Sequence, residues 1–269
     1  MGVVIAIISG KGGVGKTTAS ANIALGIATN NKKCVVVDFD IGQRNLDMVL
    51  GLENRVVFDI VQVMDGEAKI KQAIIKSKVN PNLFFLAASQ TKDKTVLESP
   101  KVEKFIAQLK EEFDFVILDA PAGIESGFEH TIEFSDEAII IVNPEVSSIR
   151  DADRAIGILD AKAQCVKDGN DIKKRLIINR ISPEMVLSGE MLSSDDILEM
   201  LDIEILGKIP EDKGIIEASN QGKPIILNKK SSAGQAYVRI SDRVCGKDVP
   251  IVNVETKSGV MSKIKRIFE

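Results

Sequence analysis

Gly10-Lys11-Gly12-Gly13-Val14-Gly15-Lys16-Thr17-Thr18 stands between an apolar run, Val3 to Ile8, and a run with helical spacing, Thr17 to Thr29. A glycine-rich turn between a strand and a helix N-terminus presents several backbone N–H groups and a positive dipole end to one anion. Within it, Gly10-x-x-x-x-Gly15-Lys16-Thr17 fits the phosphate-binding loop pattern. In that pattern the backbone from Gly10 through Gly12, Gly13, Val14 and Gly15 closes around phosphate oxygens. Lys16 reaches the β- and γ-phosphates, and the Thr17 hydroxyl ligates Mg²⁺. Thr18, at the helix start, donates to the α-phosphate. A merely flexible loop is the alternative, and the strand before and the helix after both argue against it.

A second lysine, Lys11, sits inside the loop. Lys16 already takes the position on the phosphates that this loop wraps. Lys11 can therefore point outward, toward a triphosphate held by a second copy of the chain. The competing reading is a solvated lysine on a mobile loop.

Beyond the loop, apolar runs at 34–39, 83–87, 114–119, 138–142, 175–179 and 203–207 alternate with helical patterns such as 17–29, 101–111, 147–167 and 232–244. The runs are dense in Val, Ile and Leu without period-two alternation, as strands covered on both faces are. Such alternation predicts an α/β fold: a mostly parallel twisted sheet with helices on both faces. In these sheets ligands bind beyond the carboxyl ends of the strands, and Lys16, Asp38, Asp40, Asp119 and Asn179-Arg180 all fall there. Asp119 ends an apolar strand, where a Mg²⁺-side carboxylate belongs, acting directly or through a water; an Asp that merely starts a turn is the alternative. Asp38 and Asp40 are candidates for handling the attacking water, with a structural cap as the other reading for either. An Asn amide can pair with the donor-and-acceptor edge of adenine while an Arg stacks on its face, which suits Asn179 and Arg180.

The 269 residues, 28% charged and 44% hydrophobic, suit one globular domain. A net charge of −4 gives no general attraction to nucleic acid or to an anionic membrane, so any such attraction must be local. Cys34, Cys165 and Cys245 lie far apart, indicating neither metal site nor disulfide framework and fitting a reducing cytosol. No apolar run approaches the ~20 residues of a spanning helix, and a strand starting at Val3 leaves no room for a signal peptide.

Lys11 to Thr18 resembles the deviant Walker A motif of the MinD/ParA ATPases. Asp38-Phe39-Asp40-Ile41-Gly42-Gln43-Arg44-Asn45-Leu46-Asp47 and Asp119-Ala120-Pro121-Ala122-Gly123-Ile124-Glu125 resemble the MinD branch of that family, apart from Gln43, where leucine is usual. The resemblance spans essentially the whole chain. It implies an ATP- and Mg²⁺-dependent ATPase in which Asp40 positions the water and Asp38 lies nearer the metal. Lys16 and the Lys11 of a second copy meet the phosphoryl charge. Pro121-Ala122-Gly123 is then a loop that responds to the γ-phosphate, and Pro210-Glu211 lies near the base. On the same ground, Arg150, Asp151 and Asp153 form a surface for a MinC-like inhibitor and for an activator such as MinE. A solvated charged face is the plainer reading.

The tail is the second strong signal. After a polar linker, 246–257, Val260, Met261, Ile264, Ile267 and Phe268 fall within an arc of roughly 120° on a helix. Ser262, Lys263, Lys265, Arg266 and Glu269 fill the remainder. An amphipathic helix with a basic polar face predicts a peripheral membrane contact; a helix packed on the body is the alternative. The expected organisation is an ATPase domain over 1–245, the linker, and a membrane helix over 258–269. The expected cycle is between cytosol and the inner face of the cell membrane, with ATP-dependent homodimers joining two weak tails and no sequence-specific nucleic acid. A flagellar-number regulator shares the loop and the tail but usually carries an N-terminal extension. A ParA-type DNA-segregation ATPase would want a basic surface.

Overall fold

The computed structural model describes residues 1–124 and 127–255. Its strands are β1 (Val3–Ile8), β2 (Cys34–Asp38), β3 (Ile75–Lys76), β4 (Leu83–Leu86), β5 (Phe115–Asp119), β6 (Glu137–Val142), β7 (Lys173–Ile181) and β8 (Ile205–Pro210). They join in one sheet in the order β3-β4-β2-β5-β1-β6-β7-β8. Every pairing is parallel except β3 with β4 at the edge. β1 sits between β5 and β6, and the chain winds outward from it in both directions. That arrangement opens a crevice at the carboxyl ends of the central strands.

Alternate strand residues go to opposite faces. Ile5, Ile7, Val36, Ile117, Ile139 and Ile177 pack with α1 (Lys16–Thr29) and with a long helix near the chain's end. On the other face, Val4, Val35, Val37, Val116 and Leu118 meet α2 (Ser99–Glu112). Beside them Ala6, Ile8, Ala138, Ile140 and Ile178 meet α3 (Val146–Lys162) and α4 (Ser194–Leu201). The late helix on the first face is α5 (Ser232–Val244). Helices thus cover both faces, as the unalternating apolar runs predict.

Differences from the sequence expectation are local. The helical pattern over 147–167 breaks at Ala163, whose ψ of 134° is extended, so α3 ends at Lys162 and a short Gln164–Lys167 turn follows. The short helices Leu46–Leu50, Ile60–Met64 and Ile70–Ala73, and the two-residue β3, carry too few residues to show a period. Among the described residues no helix is long and apolar enough to cross a membrane. The expected membrane helix, with Val260, Met261, Lys263, Ile264, Lys265, Arg266, Ile267 and Phe268, lies outside the described residues, as do Glu125 and linker residues 256 and 257.

Candidate functional site

β1 hands the chain to α1 through Ser9 to Gly15, and the loop's shape depends on two glycines. Gly15 has φ 101°, the left-handed region that a side chain disfavours, and a Cβ there would come 2.5 Å from Asn179 Nδ2. Gly10 is closed by its surroundings instead: a Cβ would lie 1.8 Å from the carbonyl oxygen of Asp151 in α3. Above them Gly12 and Gly13 are exposed, and the first-turn amides of α1 face the same space.

Two carboxylates meet at the carboxyl ends of adjacent strands, because the β2–β5 register pairs Asp38 with Asp119. Both are buried. Ser20 Oγ, one turn into α1, donates to Asp119 Oδ1 at 2.7 Å. Burial pushes Asp119 up to about 6, against the hydrogen bonds from Ser20 and Thr17 and the charge of Lys16. Asp38 is raised as well, by burial and then by Asp119, with backbone amides opposing. Those amides shape the next loop: Asp40 N donates to Asp38 Oδ1 at 2.9 Å, and Asn45 N and Leu46 N donate to Oδ2 at 3.3 and 3.2 Å. Through these hydrogen bonds Asp38 holds Asp40 at the crevice. A raised acid pair beside a buried lysine is a demand for positive charge, which suits a divalent cation.

The candidate base-contacting residues also converge. A register shift on the β7–β8 ladder between Ile178 and Ile181 takes Asn179 and Arg180 out of regular pairing. Arg180 adopts φ 57° and is exposed. Asn179 is buried and donates to Val14 O at 2.7 Å, while its Oδ1 is buried with no hydrogen-bond partner. An orphaned acceptor at the foot of the loop fits a ligand amine such as that of adenine. Glu211 N donates to Ile181 O at 3.0 Å, which brings Pro210 and Glu211 beside the same strand end.

Lys11 does not point to open solvent. Its Nζ lies 3.1 Å from Glu145 Oε2 and 3.1 Å from Ser147 Oγ, just before and within the first turn of α3. The two charged side chains are 42% and 51% exposed. An ion pair so exposed is worth about 0–1 kcal/mol, so it restrains Lys11 only weakly. Arg150 and Asp153 are exposed along the same helix and Asp151 is half-buried.

The chain's likeness to other proteins agrees with this geometry. The AAA domain family matches residues 2–165. The septum site-determining protein MinD of Helicobacter pylori is 52% identical over 268 residues, with 100% of each chain covered. This chain belongs to the MinD family. The MinC:MinD cell division protein complex of Aquifex aeolicus superposes with a TM-score of 0.84 at 43% identity, covering 93% of this chain and 99% of that one. The MinD of Pyrococcus horikoshii complexed with Mg-ADP gives a TM-score of 0.79 at 30% identity, over 91% of this chain and 96% of that one.

Three contributors were not singled out from the sequence. Ser20 is one serine in an ordinary helix, and only the fold puts it against Asp119. Glu145 and Ser147 lie a few residues before Arg150, but their pairing with Lys11 spans more than 130 residues of chain.

Proposed function

We propose that this chain is a Mg²⁺-dependent ATPase that selects the division site, dimerising on ATP and recruiting a MinC-like inhibitor to the inner face of the cell membrane. The convergence that carries the reading is Lys16, Thr17, Ser20 and Asp119 around one spot at the carboxyl edge, in a chain half identical to a septum site-determining protein.

In this reading the loop amides and Lys16 hold the β- and γ-phosphates, Thr18 holds the α-phosphate, and Asn179 takes the adenine amine, with Arg180, Pro210 and Glu211 around the ring. Thr17, Asp119 and Asp38 would hold Mg²⁺, which would supply positive charge against the phosphates. Asp40 orients a water in line with the γ-phosphorus. A new P–O bond forms to the water oxygen as the bond to the bridging oxygen breaks; ADP leaves carrying that electron pair, one proton of the water stays on the phosphate formed and the other passes to solvent. Lys11 of a second copy would leave its Glu145 contact and meet the phosphoryl charge, so turnover requires the dimer. Arg150, Asp151 and Asp153 would carry the inhibitor and activator contacts.

Magnitudes then couple dimer to membrane. Five apolar side chains at most ~1.5–3 kcal/mol each, plus about 1 kcal/mol per basic residue near anionic lipid, oppose the ordering entropy of the tail. A single tail is left with a few kcal/mol at best. Two tails on one dimer raise avidity by ~10²–10⁴. Co-sedimentation with vesicles containing phosphatidylglycerol should therefore be strong with ATP, weak with ADP and lost without residues 258–269. Equal pelleting in all three removes the coupling.

A further inference from the structure

The segment following α5 is strapped to the body as far as the described residues run. Gly246 turns the chain with φ 83°, and Arg243 then forks over it. Its Nε donates to Val249 O at 2.7 Å and its Nη2 to Pro250 O at 2.7 Å, while Nη1 donates to Leu206 O of β8 at 2.6 Å. Further on, Val254 packs against the core of α3 and α4. Glu255 closes the strap: its Oε1 accepts from Ser194 N at 3.2 Å, from Ser194 Oγ, and from Lys208 Nζ at 3.2 Å. The Lys208 and Glu255 side chains are only 12% and 16% exposed. Burial would raise the Glu255 carboxyl, but the Ser194 hydrogen bonds and the Lys208 ammonium outweigh it and hold it below the ordinary glutamate range.

By composition this stretch should be loose. Residues 247–257 are polar, hold one proline and show no period, the pattern of a linker. A main-chain fork at one end and a half-buried ion pair at the other are more than solvation of a linker requires. They act where they decide something: Glu255 is three positions before residue 258, where the expected tail begins.

We propose that Arg243, Lys208 and Glu255 are positioning residues that set where the tail leaves the body, at the junction of β8 and the N-terminus of α4, and keep its tether short. The proposal rests on the membrane reading above. Counted along the sequence, two residues (256 and 257) separate the strap from residue 258; with the strap open, ten (248–257) separate it from the last residue held. Effective concentration falls as about the −3/2 power of tether length, so a fivefold longer tether lowers it roughly tenfold. The α4 end of the strap also packs beside α3, so the departure point is fixed on the same side of the sheet as the Lys11 contact.

The test uses the full chain with ATP, Mg²⁺ and vesicles of phosphatidylcholine and phosphatidylglycerol. Lys208→Ala with Glu255→Ala should speed hydrogen exchange over 248–255, raise the lipid concentration for half-maximal pelleting about three- to tenfold, and leave lipid-free turnover unchanged. A second variant keeps the clamp and inserts glycine and serine after Glu255 over the length of 248–255. It should show the same loss, which mere destabilisation of the body would not reproduce. Pelleting equal to wild type in both variants overturns the strap while leaving the membrane reading intact. Wild-type protein that stays in solution with ATP overturns the membrane reading and the strap with it.

Discussion

Single side chains carry the chemistry, and two of them make it testable. Lys11 has a weak intramolecular partner in Glu145 and an expected stronger one across a dimer. Lys11→Ala should abolish ATP-dependent dimerisation, read by light scattering, far more than it lowers nucleotide affinity of the monomer, read by equilibrium binding. Undiminished dimers would refute a role between copies. Asp119 supplies the pH dependence. Its folded pKa of about 6 lies above the unfolded carboxylate value. The nucleotide- and metal-free protein therefore holds this proton more tightly when folded, and the stabilisation is present at about pH 4 and lost as the pH rises through 6. Wild type should lose on the order of 2 kcal/mol of stability from this group over that window, and Asp119→Asn should lose less, keeping only the part that burial of Asp38 contributes; thermal melts at pH 4 and pH 7 read the difference. The loop lysines and both carboxylates are legible in the sequence, because phosphate and Mg²⁺ chemistry demands fixed residue types at fixed spacing. Ser20 is not legible, because any helix can hold a serine.

At the scale of elements, α1 and α3 share the loop between them. The N-terminus of α1 follows the loop on one side, and α3 presses its Asp151 carbonyl onto Gly10 from the other. Gly10→Ala forces one of the two to move. Overpacking of this kind costs about 1–3 kcal/mol, and here the displaced backbone is the glycine-rich loop that the proposed function makes the phosphate cradle. The variant should melt at lower temperature and lose nucleotide affinity together, checked by calorimetry and titration. A side chain accepted without either loss would mean that α3 does not brace the loop. Long elements were readable from their runs of Val, Ile and Leu. The short helices between β2 and β4 were not, since four or five residues make about one turn and leave stability to tertiary contacts.

Over the whole molecule, the two ends of the sheet do different work. The carboxyl ends collect Lys16, Asp38, Asp40, Asp119 and Asn179, while the amino ends hold a buried pair, Glu137 at the start of β6 with Arg175 of β7. Glu137→Gln leaves the Arg175 charge uncompensated, at a cost of about 3–5 kcal/mol. Denaturant melts should register it, while turnover per folded molecule stays at the wild-type level; a selective loss of turnover would contradict the separation. What the chain's letters settled alone was the layered α/β class and the phosphate loop, for each is local: a run or a spacing. What needed the folded molecule was every pairing between distant segments. Register set Asp38 beside Asp119, α3 closed on Gly10 and Lys11, a ladder shift turned Asn179 toward the loop, and Glu255 reached Lys208. Those contacts come from how strands align and helices pack, and that alignment is selected by the burial of the whole core rather than by any one stretch of it.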